Sequence, residues 1–138
     1  MCASSEPDTL YRSTGRCDQW TVLVVDDDPE LTALAGAYLG RLDDVAVETR
    51  ADPEAALARL DESVDCVVSD YEMPGLDGMD VLAAVRDRQP DVPVILFSGT
   101  DEAGVAERVR ERGAGFVAKG QADGFDRLTA AVDEALGD

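Results

Sequence analysis

Histidine is absent from this sequence. Its absence excludes His-based catalytic triads, His-containing metal sites and any role in which the chain itself carries a phosphohistidine. Cysteine is scarce. Cys2 and Cys17 fall in a polar N-terminal stretch and Cys66 inside an apolar run, a scatter that makes neither a disulfide framework nor a zinc site. Cys66 reads as a small buried core residue. Positive charge is also in short supply: 12 Lys and Arg stand against 30 Asp and Glu, a net charge of −18. That balance argues against binding nucleic acid through a basic face. No apolar stretch is long enough to span a bilayer, and Met1 to Asp8 has neither the basic segment nor the apolar block of a secretory signal. The expectation is a soluble, cytoplasmic protein that does not enter a membrane.

What is present suffices for one domain. With 138 residues and 45% apolar composition, the chain can bury a core and is no disordered acidic tail. The acids are spread over nearly every segment, which favours a solvated surface adapted to high salt over a patch for a basic partner. Residues 1–20 read as a flexible polar leader and residues 21–138 as the domain. Trp20 opens a strand that runs to Val25. Asp28-Pro29-Glu30 has the form of a helix start, followed by Leu31, Leu34, Tyr38 and Leu42 as its apolar face. Val45, Val47 and Thr49 alternate as a strand. Asp52-Pro53-Glu54 repeats the helix start, with Ala56, Leu57 and Leu60 as the buried stripe.

Val64 to Asp70 is the third strand, and Val81, Leu82 and Val85 mark the helix after it. Val92 to Ser98 is a continuous apolar run, as in a strand buried on both faces. Val105, Ala106 and Val109 carry the next helix, Phe116 to Lys119 the fifth strand, and Leu128, Val132 and Leu136 the last helix. Five strands alternating with five helices imply a parallel sheet covered on both faces.

The chemistry gathers at the ends of the strands. Val22 to Val25 ends in Asp26-Asp27-Asp28, and the third strand ends in Asp70. In open parallel sheets, ligands bind beyond the carboxyl ends of strands, where strand order reverses. If the first and third strands are neighbours, their carboxylates converge and can hold a divalent cation beside a nucleophilic oxygen. Ser98 ends the fourth strand and Lys119 the fifth. Each alone is an ordinary strand-end residue; four ends carrying polar groups on one edge are a site.

From about Thr21 to Leu136 the sequence resembles the receiver domain of two-component response regulators, including chemotaxis-type receivers. The segments that carry the resemblance are Val22 to Pro29, Val67 to Gly78 with its Met73-Pro74-Gly75, Val94 to Gly99, and Gly113 to Lys119. The resemblance implies a flavodoxin-like, doubly wound five-stranded sheet of order 2-1-3-4-5. It also implies that Asp70 accepts a phosphoryl group from the phosphohistidine of a sensor histidine kinase. Asp26 and Asp27 would hold Mg²⁺ together with Asp70 and the backbone carbonyl of Glu72. Lys119 and Ser98 would meet the phosphoryl group, and Ser98 and Phe116 would form the switch. Asp28 falls outside the acidic pair and reads as a helix cap.

The sequence departs from the family pattern in three places. Gly120 follows Lys119 where proline is usual, Phe116 lacks the hydroxyl of the commoner tyrosine, and Glu72 and Gly99 flank the region that sets phosphoryl lifetime. A haloacid-dehalogenase-like phosphatase shares Asp26-x-Asp28 but expects Thr or Val where Glu30 stands. A flavodoxin expects a phosphate loop that is missing after the first strand. A receiver that only binds is disfavoured by the complete set of acids, hydroxyl and lysine. The downstream target is expected to be a protein. A stand-alone relay, a module of a longer hybrid kinase or regulator, and a homodimer through the last helix all stay open. The implied activity is that of a signalling phosphoacceptor and not of a turnover enzyme.

Overall fold

The computed structural model describes residues 20–42, 44–71, 76–99, 104–119 and 123–137. Ten elements alternate along them: β1 (Trp20–Val25), α1 (Pro29–Leu39), β2 (Val45–Arg50), α2 (Pro53–Arg59), β3 (Cys66–Ser69), α3 (Gly78–Arg88), β4 (Val94–Ser98), α4 (Val105–Glu111), β5 (Gly115–Ala118) and α5 (Gly124–Gly137). The leader expected over residues 1–20 lies outside the described residues except for Trp20, which begins β1.

The helix starts follow from local chemistry. Asp28 and Asp52 each hold extended backbone and accept hydrogen bonds from the first free N–H groups of α1 and α2, and a proline fills the first helical position of each. Asp77 and Asp80 close a capping box at the start of α3, each accepting from the other's N–H.

The five strands form one parallel sheet of order β2-β1-β3-β4-β5. This is the doubly wound, flavodoxin-like arrangement expected. Alternation along the strands sends side chains to two cores. On one face Leu23, Val25, Val67, Val94 and Leu96 pack with Leu57, Leu82, Val85 and Val109 of α2, α3 and α4. On the other, Val22, Val24, Val68, Ile95 and Phe97 pack with Ala35, Leu39, Leu128 and Val132 of α1 and α5. Burial on both faces explains why β1, β3 and β4 read as unbroken apolar runs. Cys66 lies in the second core, where burial pushes its thiol up to about 12, so it is chemically inert.

The face of α1 differs from expectation. Leu31 and Leu42 pack against the core and Tyr38 stacks on Phe125, but Leu34 is 49% exposed. The residues that α1 buries fully are Ala35 and Leu39. In Leu-Thr-Ala-Leu-Ala-Gly-Ala-Tyr-Leu, apolar residues surround the helix, so two faces fit the 3.6-residue period and tertiary packing decides. The strand bounds also change: β3 begins only at Cys66 and β4 at Val94, while β5 lies one residue earlier than expected, over Gly115–Ala118, with Lys119 just beyond it.

Candidate functional site

The site is built where strand order reverses. Val25 and Ser69 are register partners on β1 and β3, so Asp26 and Asp70 leave the sheet side by side. The backbone fixes both exits: the Asp70 N–H donates to the Val25 carbonyl at 2.9 Å, and the Asp26 N–H to the Arg50 carbonyl at 3.1 Å. Two strands away, Ala118 pairs with Ser98, and the Lys119 N–H donates to the Ser98 carbonyl at 2.8 Å.

Lys119 then reaches back across the edge. Its Nζ lies 2.9 Å from Asp26 Oδ2 and 3.3 Å from Asp70 Oδ1, so one ammonium bridges two carboxylates. Asp26 is only 2% exposed, and its other oxygen accepts from the Asp28 N–H at 2.9 Å. Asp70 is 9% exposed, and its Oδ1 also accepts from the Tyr71 N–H at 2.8 Å. Burial holds the Asp70 carboxyl above its ordinary value, and the neighbouring Asp26 charge adds to this. The Lys119 charge and hydrogen bond and the Tyr71 N–H act the other way without cancelling it.

Asp27 is exposed and completes a cluster: Asp26, Asp27 and Asp70 each offer a carboxylate oxygen, all within 4.8 Å of one another. Among the described residues, these three carboxylates share one ammonium, which contacts Asp26 and Asp70, so the cluster keeps surplus negative charge. The donors are all hard oxygens. Both properties suit a hard divalent cation such as Mg²⁺, which takes few protein ligands and keeps several waters. Asp28 stays out of the cluster; its side chain accepts from the Glu30 N–H at 3.0 Å and the Leu31 N–H at 3.4 Å, as a helix cap does.

Ser98 is buried at the end of β4 on the same edge. Phe116 is half-buried against the core that contains Leu96, its register partner. Glu72 lies outside the described residues. The strand pattern does not foretell the direct Lys119–Asp26 pair, which joins positions 93 apart in sequence. One compositional signal pointed at it: Lys119 is the sole lysine of the sequence.

Residues 22–133 match the family described as the response regulator receiver domain. The chain belongs to the response regulator receiver family. Its receiver fold and the clustered Asp26, Asp27 and Asp70 fit aspartate phosphorylation in a two-component signalling module. The transcriptional regulatory protein DctD of Pseudomonas aeruginosa, named for C4-dicarboxylate transport, is 34% identical over 103 residues, which are 70% of this chain and 21% of that protein. A putative transcriptional regulator of Haloferax volcanii is 40% identical over 86 residues, 62% of this chain and 15% of that one. The receiver thus spans about a fifth or less of the length of these two relatives.

Among solved structures, a response regulator receiver domain protein from Clostridium thermocellum superposes with a TM-score of 0.74 at 25% identity, covering 86% of this chain and 94% of that one. NtrX from Brucella abortus superposes with a TM-score of 0.75 at 29% identity, covering 86% and 27%. Among the described residues, no helix of the receiver is long and apolar enough to cross a membrane.

Proposed function

We propose that Asp70 takes a phosphoryl group from the phosphohistidine of a sensor histidine kinase. Its carboxylate oxygen forms the new O–P bond as the N–P bond breaks, and the departing imidazole takes up a proton. One observation carries the reading above the rest: the single lysine ammonium is held between the buried Asp26 and Asp70. A lysine so held has little work as a surface charge. It is placed to pair with an anion that forms on Asp70.

Asp26, Asp27 and Asp70, with the Glu72 backbone carbonyl, would hold Mg²⁺, which when bound offsets charge on the phosphoryl oxygens. Lys119 exchanges its contact with Asp70 for a phosphoryl oxygen and keeps Asp26 as its counter-charge. The Ser98 hydroxyl turns to donate to a second phosphoryl oxygen. Phe116, half-buried beside Leu96, fills the space this leaves, and the surface of α4, β5 and α5 changes for a downstream protein. The two relatives are longer proteins named as transcriptional regulators, which favours a second reading of the output: the same switched surface addresses an attached domain of a longer regulator.

Phosphoramidate tests the transfer step, because it carries the P–N bond of a phosphohistidine. With Mg²⁺ the wild-type protein is expected to gain one phosphoryl mass, and with a chelator it is not. Equal labelling with and without the metal would overturn the Mg²⁺ dependence, and no labelling in either case would overturn the acceptor role.

A further inference from the structure

Ser69 is the last residue of β3 and is 0% exposed. Alternation along the strand puts it on the face of Val67, and its register partners are Val25 and Leu96, all members of one apolar core. A hydroxyl in such surroundings brings a desolvation cost that an alanine would avoid, so it must be hydrogen-bonded. It is: Ser69 Oγ donates to the Asp70 carbonyl oxygen at 2.9 Å.

That carbonyl belongs to the peptide group joining Asp70 to Tyr71. The N–H of the same group donates to Asp70 Oδ1 at 2.8 Å. One end of the peptide plane is therefore held by Ser69, and the other end holds the nucleophilic carboxylate. The next carbonyl, that of Tyr71, accepts from the Gly78 N–H at 2.7 Å. From these contacts we infer that Ser69 is a positioning residue for Asp70. By fixing the tilt of the 70–71 peptide, its hydroxyl fixes the rotation of the Asp70 carboxylate toward the incoming phosphorus.

The inference rests on Asp70 being the acceptor. It does not require Ser69 to touch substrate, metal or phosphoryl group. Loss of the hydroxyl leaves the core apolar and filled but for one oxygen, so folding is expected to survive. What is lost is alignment of the reacting oxygen, and misplacement of a reacting group by a fraction of an ångström slows a reaction by about tenfold or more.

The test compares initial rates of phosphorylation by an acyl phosphate with Mg²⁺ in the full chain, each variant checked by thermal melting. Ser69→Ala removes the donor. Ser69→Cys keeps the shape but carries a somewhat larger sulfur that is a much weaker donor. Both are expected to fall about tenfold below wild type while still melting cooperatively. Ser69→Thr restores the hydroxyl and is expected to recover most of the rate. A folded Ala or Cys variant at the wild-type rate overturns the inference, as does a folded Thr variant as slow as Ala. Should wild type itself form no adduct, the fault lies with the acceptor reading and not with Ser69.

Discussion

Gly78 sits where α3 presses on the backbone just beyond β3, at Asp70 and Tyr71. A Cβ added there would lie 2.8 Å from the Asp70 carbonyl oxygen, 2.9 Å from the Tyr71 Cα and 3.2 Å from Leu96 Cδ1. Ordinary contact begins near 3.4 Å, so relieving the worst contact requires a retreat of about 0.6 Å, the difference between 3.4 and 2.8. The Leu96 methyl can rotate away. The two backbone atoms belong to the site and cannot move without moving Asp70. The left-handed region is not involved at Gly78, so alanine at this first helical turn carries no dihedral penalty. By propensity alone it should stabilise α3 by roughly 0.5–1 kcal/mol.

The steric account predicts the opposite sign for Gly78→Ala. Overpacking against fixed neighbours costs about 1–3 kcal/mol. For a domain of roughly 120 residues, that lowers Tm by about 4–12 °C. Displacing the Asp70 peptide by half an ångström should also slow phosphorylation by about tenfold. Calorimetric melting and acyl-phosphate labelling measure the two effects. A Gly78→Ala protein that melts higher than wild type and labels at the same rate refutes the reasoning, because propensity would then have outweighed the contact.

Three further outcomes follow, two from the geometry of the site and its flanking cap and one from the net charge. Asp28→Ala should cost about 1 kcal/mol through loss of the α1 cap, seen in melting, while labelling proceeds at the wild-type rate. A labelling defect as deep as that of Asp27→Asn would mean Asp28 belongs to the metal site. Burial raises the Asp70 carboxyl above its unfolded value, so its contribution to stability is fully present below about pH 4 and is lost as pH rises through the folded value. In metal-free buffer Asp70→Asn should therefore melt higher than wild type at pH 7 and lose that advantage near pH 3. A variant less stable than wild type at pH 7 would show that the Lys119 contact outweighs burial. Finally, a net charge of −18 predicts that Tm climbs steadily as KCl is raised toward 1 M, where screening acts over about 3 Å. A flat or falling Tm would refute the reading of the acids as a salt-adapted surface.

Much of this was legible because local chemistry and tertiary packing agreed. Asp28-Pro29 and Asp52-Pro53 announce their helices through backbone groups one turn away. The runs at Val22–Val25 and Val94–Ser98 announce strands buried on both faces. Where the two levels separate, the sequence falls short. The spacing puts Leu34 on the buried face of α1, where it does not lie, because Leu34 and Ala35 both fit an apolar stripe and only contact with α5 and the sheet selects Ala35 and Leu39. Ser69 passes for an ordinary strand residue, since its hydroxyl acquires meaning only from the orientation of the following peptide. The bridge from Lys119 to Asp26 depends on strand order bringing β5 and β1 to one edge. Alternation of strands and helices already puts Ser98 and Lys119 on that edge beside the acids, and the family resemblance adds the strand order that makes β1 and β3 neighbours.

The central claim is that Asp70 is the residue that reacts. Its most direct test is intact mass after incubation of the full chain with Mg²⁺ and acetyl phosphate, beside Asp70→Asn under the same conditions. The account predicts one added phosphoryl group on wild type and none on the variant. An undiminished adduct on Asp70→Asn, or none on wild type, would contradict it.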